Sequence, residues 1–466
     1  MLTNLDWLAP GREYPPKAER DRIDRYKLHE QLFLSQHPEA WQDLFADLAA
    51  KLHKRYRDSA VDTVLNYHQL LSKKTADFVC GEPPTIESEG NTDALSRLLD
   101  HQMFPAQLYE AIIDVSRYGN AVPKIVGKRL TMASPMYWYP VVDPTDVKTI
   151  THQVIAYPIE PDADGNPTRL YAEIHTPGIV ETRYYQYDAT GAKIGQQIDE
   201  PRREVTGLQN FAVQPLTNIT HTGSVYGLDD YGIVNSLVAK VMWRLHCADN
   251  VLDKHSAPSM SGPASALSYD DRTGLYYLDL GNYFKRNGRE DPEPQYITWD
   301  GNLDANWREI EILLNQLYIL TEMGQAFAEG GGGGGADSGT ALKLRMVSPR
   351  IKAARLAGIN APVIKRIVAM LAQVNGIPLD YDTITVTWND GLPNDDVEQT
   401  NTLITATGGK AIMSQYSALK ARGLTDAEVE AEMQQLRDEQ ATSVPFALST
   451  QEVIEATGED EVDGEA

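Results

Sequence analysis

The chain has 466 residues, a formal net charge of −24 and 42% apolar residues. That length suggests two to four structural units, and the apolar content excludes a disordered chain. The acidic balance excludes a protein that coats nucleic acid with a basic surface, so any DNA contact must be local or weak.

From about Lys17 to Phe78 the sequence predicts helix. Tyr26, Leu32, Phe33, Trp41, Leu44, Phe45, Leu48 and Leu52 recur mostly at three- and four-residue steps, and Gly81-Glu-Pro-Pro ends the pattern. From about Ala121 to Ile219 the character changes. Val122-Pro-Lys-Ile-Val, Val154-Ile-Ala-Tyr-Pro-Ile, Leu170-Tyr-Ala-Glu-Ile and Thr182-Arg-Tyr-Tyr-Gln-Tyr are short β-prone runs separated by Asp-, Gly- and Asn-rich turns.

Tyr231 to His255 reads as a helix of about 35 Å, with Val234, Leu237, Val238, Val241, Leu245, Ala248 and Leu252 on one face. Ala257 to Gly301 is rich in Pro, Gly and Ser and holds strand-like runs at Leu275 and Gln295. A second helix runs from Asp304 to Met323, with the stripe Trp307, Ile310, Leu314, Leu317 and Leu320. Two apolar helices thus bracket a small β insertion.

Six consecutive glycines follow, Gly330 to Gly335, which lose too much conformational entropy on ordering to form a packed element. Thr340 to Gln373 reads as helical, with breaks expected at Pro349 and Pro362. Tyr381 to Trp388 alternates as a strand, and Asp395 to about Gln440 reads as surface helices. Gln451 to Ala466 is acidic, nearly without apolar residues, and expected to be disordered.

The chemistry is sparse. Cys80 and Cys247 form no CxxC pair, which argues against a disulfide framework or zinc site and fits a reducing compartment. The N-terminus lacks the basic and apolar regions of a signal peptide, and no run of about 18 apolar residues is present, so no membrane association is expected. Thr407-Gly-Gly-Lys-Ala is an incomplete phosphate loop without the magnesium-binding hydroxyl. His221, His246 and His255 read as surface or interface residues. Asp162, Asp164, Asn166 and Glu173 fit positions one, three, five and twelve of a calcium loop, yet Pro167 stands where that loop needs glycine. An ordinary hairpin turn is the plainer reading of that segment, and a metal-dependent hydrolase built on it is the enzymatic alternative. No enzyme activity and no cofactor are expected.

The order of segments resembles the portal proteins of tailed bacteriophages. The resemblance is carried by Glu19-Arg-Asp-Arg-Ile-Asp-Arg-Tyr, by Asn66-Tyr-His-Gln-Leu-Leu through Gly81-Glu-Pro-Pro, and by Tyr118-Gly-Asn-Ala-Val-Pro-Lys-Ile. Val141-Val-Asp-Pro-Thr-Asp-Val, Gln153-Val-Ile-Ala-Tyr, Gly227-Leu-Asp-Asp-Tyr-Gly-Ile-Val and Ser338-Gly-Thr-Ala-Leu-Lys continue it. It implies an α+β portal fold: wing at 1–228, first stem helix at 229–256, clip at 257–303 and second stem helix at 304–324. A tunnel loop at 325–339, further wing at 340–394, a crown at 395–440 and an acidic tail at 441–466 complete it. It further implies a closed ring, a dodecamer in the family, at one capsid vertex of the virion, assembled in the host cytoplasm. Double-stranded DNA passes through the ring during packaging and ejection. The implied partners are the terminase large subunit, head-completion or adaptor proteins, and the major capsid and scaffolding proteins. A ring-forming virion adaptor that is not itself the conduit is the alternative.

On this resemblance Gln325, Glu329, Gly330, Gly331, Gly332, Gly333, Gly334, Gly335 and Asp337 face the channel. The glycine run departs from the family, whose tunnel loops carry side chains that touch DNA, and implies a pliant sleeve or passive gate. Lys240, Arg244 and Lys254 on the first stem helix, and Arg308 on the second, are candidates to line the bore, pair with a neighbouring subunit or simply be solvated. The apolar stripes of both stem helices are expected to be buried between neighbouring subunits.

Overall fold

The computed structural model describes residues 1–34, 64–256, 260–261, 267–278, 290, 295–296, 303–324, 346–388, 403–407 and 413–442. The chain divides into a unit at Met1–Gly391 and a second at Leu392–Ala466. The expected helical residues Trp41, Leu44, Phe45, Leu48 and Leu52, the tunnel loop, most of the clip and the acidic tail lie outside the described residues.

Helix α1, Arg20–Leu34, buries Ile23, Tyr26, His29 and Leu32 at three-residue spacing. Helix α2, Tyr67–Cys80, starts where the Asn66 side chain accepts the Gln69 N–H at 2.9 Å and stops at Gly81. Strand β1, Thr85–Ser88, leads into α3, Thr92–His101, and α4, Phe104–Tyr118. Met103, between the two helices, is left-handed at φ 50°, a turn that no glycine announces.

Strands β2, Asn120–Val126, and β3, Arg129–Ala133, form a hairpin. Strands β4, Trp138–Val142, β5, Ile150–Pro161, β6, Pro167–Thr176, β7, Ile179–Asp188, and β8, Lys193–Gln197, form one antiparallel sheet in chain order. Strand β9, Arg202–Val205, pairs with β7, and β10, Leu216–Thr217, completes a three-stranded sheet beside β2. Alternation sorts the large sheet. Leu170, Ala172 and Ile174 enter a core with the N-terminal Leu2, Trp7, Leu8 and Tyr14, while Tyr171, Glu173 and His175 point to the other face. Buried Arg22 ties α1 to this sheet through the carbonyls of Pro135 and Trp138, at 3.0 and 3.1 Å.

Helix α5, Asn235–Ser256, is followed by short antiparallel pairs. Strand β11, Met260–Ser261, pairs with β14, Gln295–Tyr296, and β12, Leu267–Asp270, pairs with β13, Leu275–Leu278. Helix α6, Asp304–Leu320, comes next, then α7, Val347–Val374. Strand β15, Ile384–Thr387, returns to pair antiparallel with β1. The main core joins α2, α3, α4 and α7 around Ile112, Leu356, Ile364 and Leu371.

The breaks expected at Pro349 and Pro362 do not occur; α7 is continuous. Pro349 lies in the first turn, where no intrahelical N–H is needed. Pro362 is exposed, and so is Gly358 four residues earlier, so the carbonyl freed by proline faces water and the ring meets no Cβ. Among the described residues α7 alone is long and apolar enough to cross a membrane, but its apolar side chains Leu356, Ile364, Val368 and Leu371 are spent in the core.

In the second unit, α8, Gln415–Ala421, and α9, Asp426–Thr442, are joined by a short turn. Thr425 and Glu428 cap α9 reciprocally: each backbone N–H donates to the other's side chain.

Candidate functional site

The two helices that bracket the β insertion pack as an antiparallel pair. Val241 meets Ile310 and Leu313, and nearer the body of the unit Val238 and Met242 cluster with Leu317. Lys240 and Arg244, one turn apart on α5, both reach Glu309 on α6, at 3.2 and 3.0 Å. Partial burial works to raise the Glu309 carboxyl. The hydrogen bond from Lys240 and the charge of Arg244 outweigh it and hold the group below its usual range.

This pairing revises the expected roles. Lys240 and Arg244 are engaged within their own chain. Arg308 is exposed, and Lys254 lies in the last turns of α5. The buried stripe of α6 is Ile310, Leu313 and Leu317. Trp307 and Leu320, expected on it, are both 44% exposed, and Leu252 on α5 is 50% exposed. With Ile310, Leu313 and Leu317 buried against α5, a second apolar line faces outward: Ile312 at 53% and Ile319 at 64% exposure, seven residues apart.

Helices α5 and α6 both root in one polar junction. Lys352 on α7, only 2% exposed, donates to Asp230 at 2.8 Å and to the carbonyl of Thr321 at 3.3 Å. Asp230 also accepts from Ser116 at 2.7 Å and Asn218 at 2.9 Å. The approach to α5, the end of α6, α4 and α7 thus meet on one buried ion pair. Glu322, left-handed at φ 60°, is held by both terminal nitrogens of Arg355. The chain then leaves at Gly324 toward the glycine run and re-enters at Met346. Gln325, Glu329, Gly330 to Gly335 and Asp337 lie outside the described residues, so the structure fixes the base of that segment and not its path.

The foot of α5 is packed by aromatic rings. Tyr231 is enclosed between His29 and His68, with ring centroids at 5.2 and 4.8 Å. Its hydroxyl bonds Ser72 at 2.8 Å and donates to the His68 carbonyl at 2.9 Å. His68 Nε2 meets Asn235 Oδ1 at 2.7 Å, and His29 Nδ1 meets the Arg117 carbonyl at 2.9 Å. Burial lowers both imidazoles, that of His68 to about 4; the nearby Asp229 opposes the shift at His29.

The four calcium-loop candidates are not brought together. Asp162, Asp164 and Asn166 form the β5–β6 hairpin, where Asp162 accepts the backbone N–H of the other two at 2.9 and 2.8 Å. Glu173 pairs across the sheet with Ile155, about 20 Å along the strand, and binds Lys124 at 2.6 Å as well as Tyr171 and His175. Among the described residues no cluster of three or more His, Cys, Asp or Glu side chains is placed to hold a metal ion.

Sequence reasoning missed Lys352 and Asn360, since polar residues on a helix read as solvated surface, and Asp230, which lies in the bend before α5. One signal was available: α7 carries Arg350, Lys352, Arg355, Lys365 and Arg366 and no acidic residue.

A sequence model of the family "Phage portal protein, SPP1 Gp6-like" matches residues 17–207 and 274–445. The solved structures that align with the chain include two particle structures. One, titled as the virion of a native gene transfer agent particle, shares 11% identity, covering 90% of this chain and 96% of that one, at a TM-score of 0.43. The other, the neck of that native particle with C12 symmetry, shares 14% identity with the same coverage, at a TM-score of 0.40. No curated protein matches. With an α+β fold and a family match over well more than half of its length, the chain belongs to the SPP1-type phage portal protein family.

Proposed function

We propose that the chain is one subunit of a closed ring at a capsid vertex of the virion, the channel through which double-stranded DNA enters and leaves. The observation that carries this reading is the stem pair. It satisfies one face internally, spends Lys240 and Arg244 on Glu309, and leaves Ile312 and Ile319 outward. An outward apolar line on a helical hairpin needs a neighbour, and repeated head-to-tail contacts close a ring.

A conduit must let its polymer slide. Every phosphate neutralised by lysine or arginine adds salt-dependent affinity, so cations tied down inside the subunit and a net charge of −24 favour low adhesion. Gln325 to Gly339 forms the loop facing DNA, with the glycine run as a passive sleeve. The β insertion meets the terminase large subunit during packaging and adaptor proteins afterwards. The wing and crown meet capsid and scaffolding proteins. The chain turns over no nucleotide; the motor supplies the work.

Electron microscopy of the purified protein tests the reading. End-on class averages are expected to be annular, with an axial hole that admits duplex DNA. A stable monomer at high protein concentration overturns it.

A further inference from the structure

One face of the six-stranded sheet is covered over half its length. Strands β2 and β3 lie over Trp138 and Ile155, and the cover ends where Lys124 meets Glu173 at 2.6 Å. Just beyond, four tyrosine rings stand in a row across the sheet. Tyr137, Tyr157, Tyr171 and Tyr184 follow one another with centroid separations of 5.4, 5.2 and 5.4 Å. Tyr157 with Tyr171, and Tyr171 with Tyr184, are direct cross-strand partners. The row is partly exposed throughout, Tyr137 to 37%. Outward of it lie Ile159, Arg169 and Gln186.

Tyrosine brings a large, rigid contact area at small entropic cost, which is why it concentrates in protein interfaces. The rim at the β5–β6 hairpin end of this row is acidic. Glu160 and the hairpin residues Asp162 and Asp164 are exposed on the outer side. Burial, and after it the charge of Glu30, raises the Tyr137 hydroxyl; burial and then Glu173 raise that of Tyr157. Two cations of this face are paired, Lys124 with Glu173 and Arg169 with Glu160 at 3.0 Å, while Arg202, opposite Thr182 at the far end of the row, is exposed; the excess of negative charge lies at Asp162 and Asp164. Ring faces are themselves electronegative.

We propose that the tyrosine row is a docking surface for a basic segment of another protein, whose lysine or arginine side chains stack on the rings and face the rim carboxylates. The same carboxylates repel phosphates, which disfavours a nucleic-acid strand. The surface lies apart from the stem and stands independently of the channel reading.

The test is fluorescence anisotropy with a labelled twelve-residue alternating Arg-Gly peptide and the full chain. Tyr157→Ser combined with Tyr184→Ser alters no charge and is expected to weaken binding on the order of tenfold. Tyr157→Phe with Tyr184→Phe keeps the rings and should hold affinity within about twofold, which separates stacking from any loss of folding. Asp164→Asn, exposed and outside the Arg169–Glu160 ion pair, should weaken binding about twofold. Three results overturn the proposal: no loss in the serine variant, which leaves only long-range attraction to an acidic chain; tighter binding of an oligothymidylate than of the peptide; or wild-type self-association that the serine variant abolishes while peptide binding stays unchanged.

Discussion

Asn360, buried in α7, pairs with the backbone of Thr217 as a neighbouring strand would: Thr217 N–H donates to its Oδ1 at 2.8 Å and its Nδ2 donates to the Thr217 carbonyl at 3.0 Å. The side chain thereby closes the open edge of β10 against the long helix. Replacing it with leucine leaves a buried donor and acceptor without partners, a loss of about 1–3 kcal/mol. Asn360→Asp should be worse, because it sets a carboxylate oxygen against the Thr217 carbonyl. Urea denaturation of both variants checks the order.

Lys352 and Asp230 invite a second comparison. Truncating one partner strands a buried charge, so Lys352→Met is expected to destabilise by about 3–5 kcal/mol. Asp230 retains Ser116 and Asn218, so Lys352→Met/Asp230→Asn should recover part of the loss. Thermal melts of the single and double variants measure the recovery; a double variant no better than Lys352→Met would deny the pairing its energetic role.

Acid should loosen the foot of the first stem helix. Neutral imidazole is the form that folding favours at His29 and His68, so their contribution is complete above the unfolded value of about 6.5. It falls away as pH drops toward the lowered native value, about 4 for His68. Glu173 behaves separately. Burial alone would raise its carboxyl, but His175, Lys124 and Tyr171 prevail and hold it at about 2, so its contribution is lost only between the ordinary carboxylate value and about 2. Melting temperatures followed from pH 7 to pH 3 should fall in two steps, and His68→Gln should flatten the upper one.

Gly119 and Gly227 touch backbone to backbone. A Cβ on either would land on the carbonyl oxygen of the other, and Gly119 is left-handed at φ 84°. Alanine at either position should destabilise by more than about 1 kcal/mol, read from denaturant midpoints, whereas Gly127→Ala, strained but unobstructed, should cost less.

Ile312→Arg or Ile319→Asp should abolish ring assembly and leave the subunit folded, since both side chains already face solvent in the single chain. Mass photometry together with circular dichroism separates assembly from folding; rings that persist in both variants would move the neighbour contact elsewhere.

The strand-rich stretch was legible because alternation sorts residues such as Tyr171 from Leu170 and Ala172, whatever packs above them. The stem was legible as two helices but not in its rotation. Spacing puts Trp307 and Leu320 on the same stripe as Ile310, and only the packing of Ile310, Leu313 and Leu317 against α5 decides which apolar line turns inward. Pro362 misled because its effect depends on what faces it, and a solvated carbonyl above Gly358 makes it harmless. The junction left only the unbalanced cations of α7 as a mark: Lys352, Asp230 and Ser116 are far apart in sequence, and each alone resembles an ordinary surface residue.

The ion pair between Asp230 and Lys352 joins a residue just before the first stem helix to one just after the glycine-bearing segment. Helices α5 and α6 both lie in sequence between the two partners, so the start of one and the end of the other are fastened to the same pair. A pull on either helix is thus shared with α4 and α7 through that pair, beside the Arg355–Glu322 pair and the rings around Tyr231.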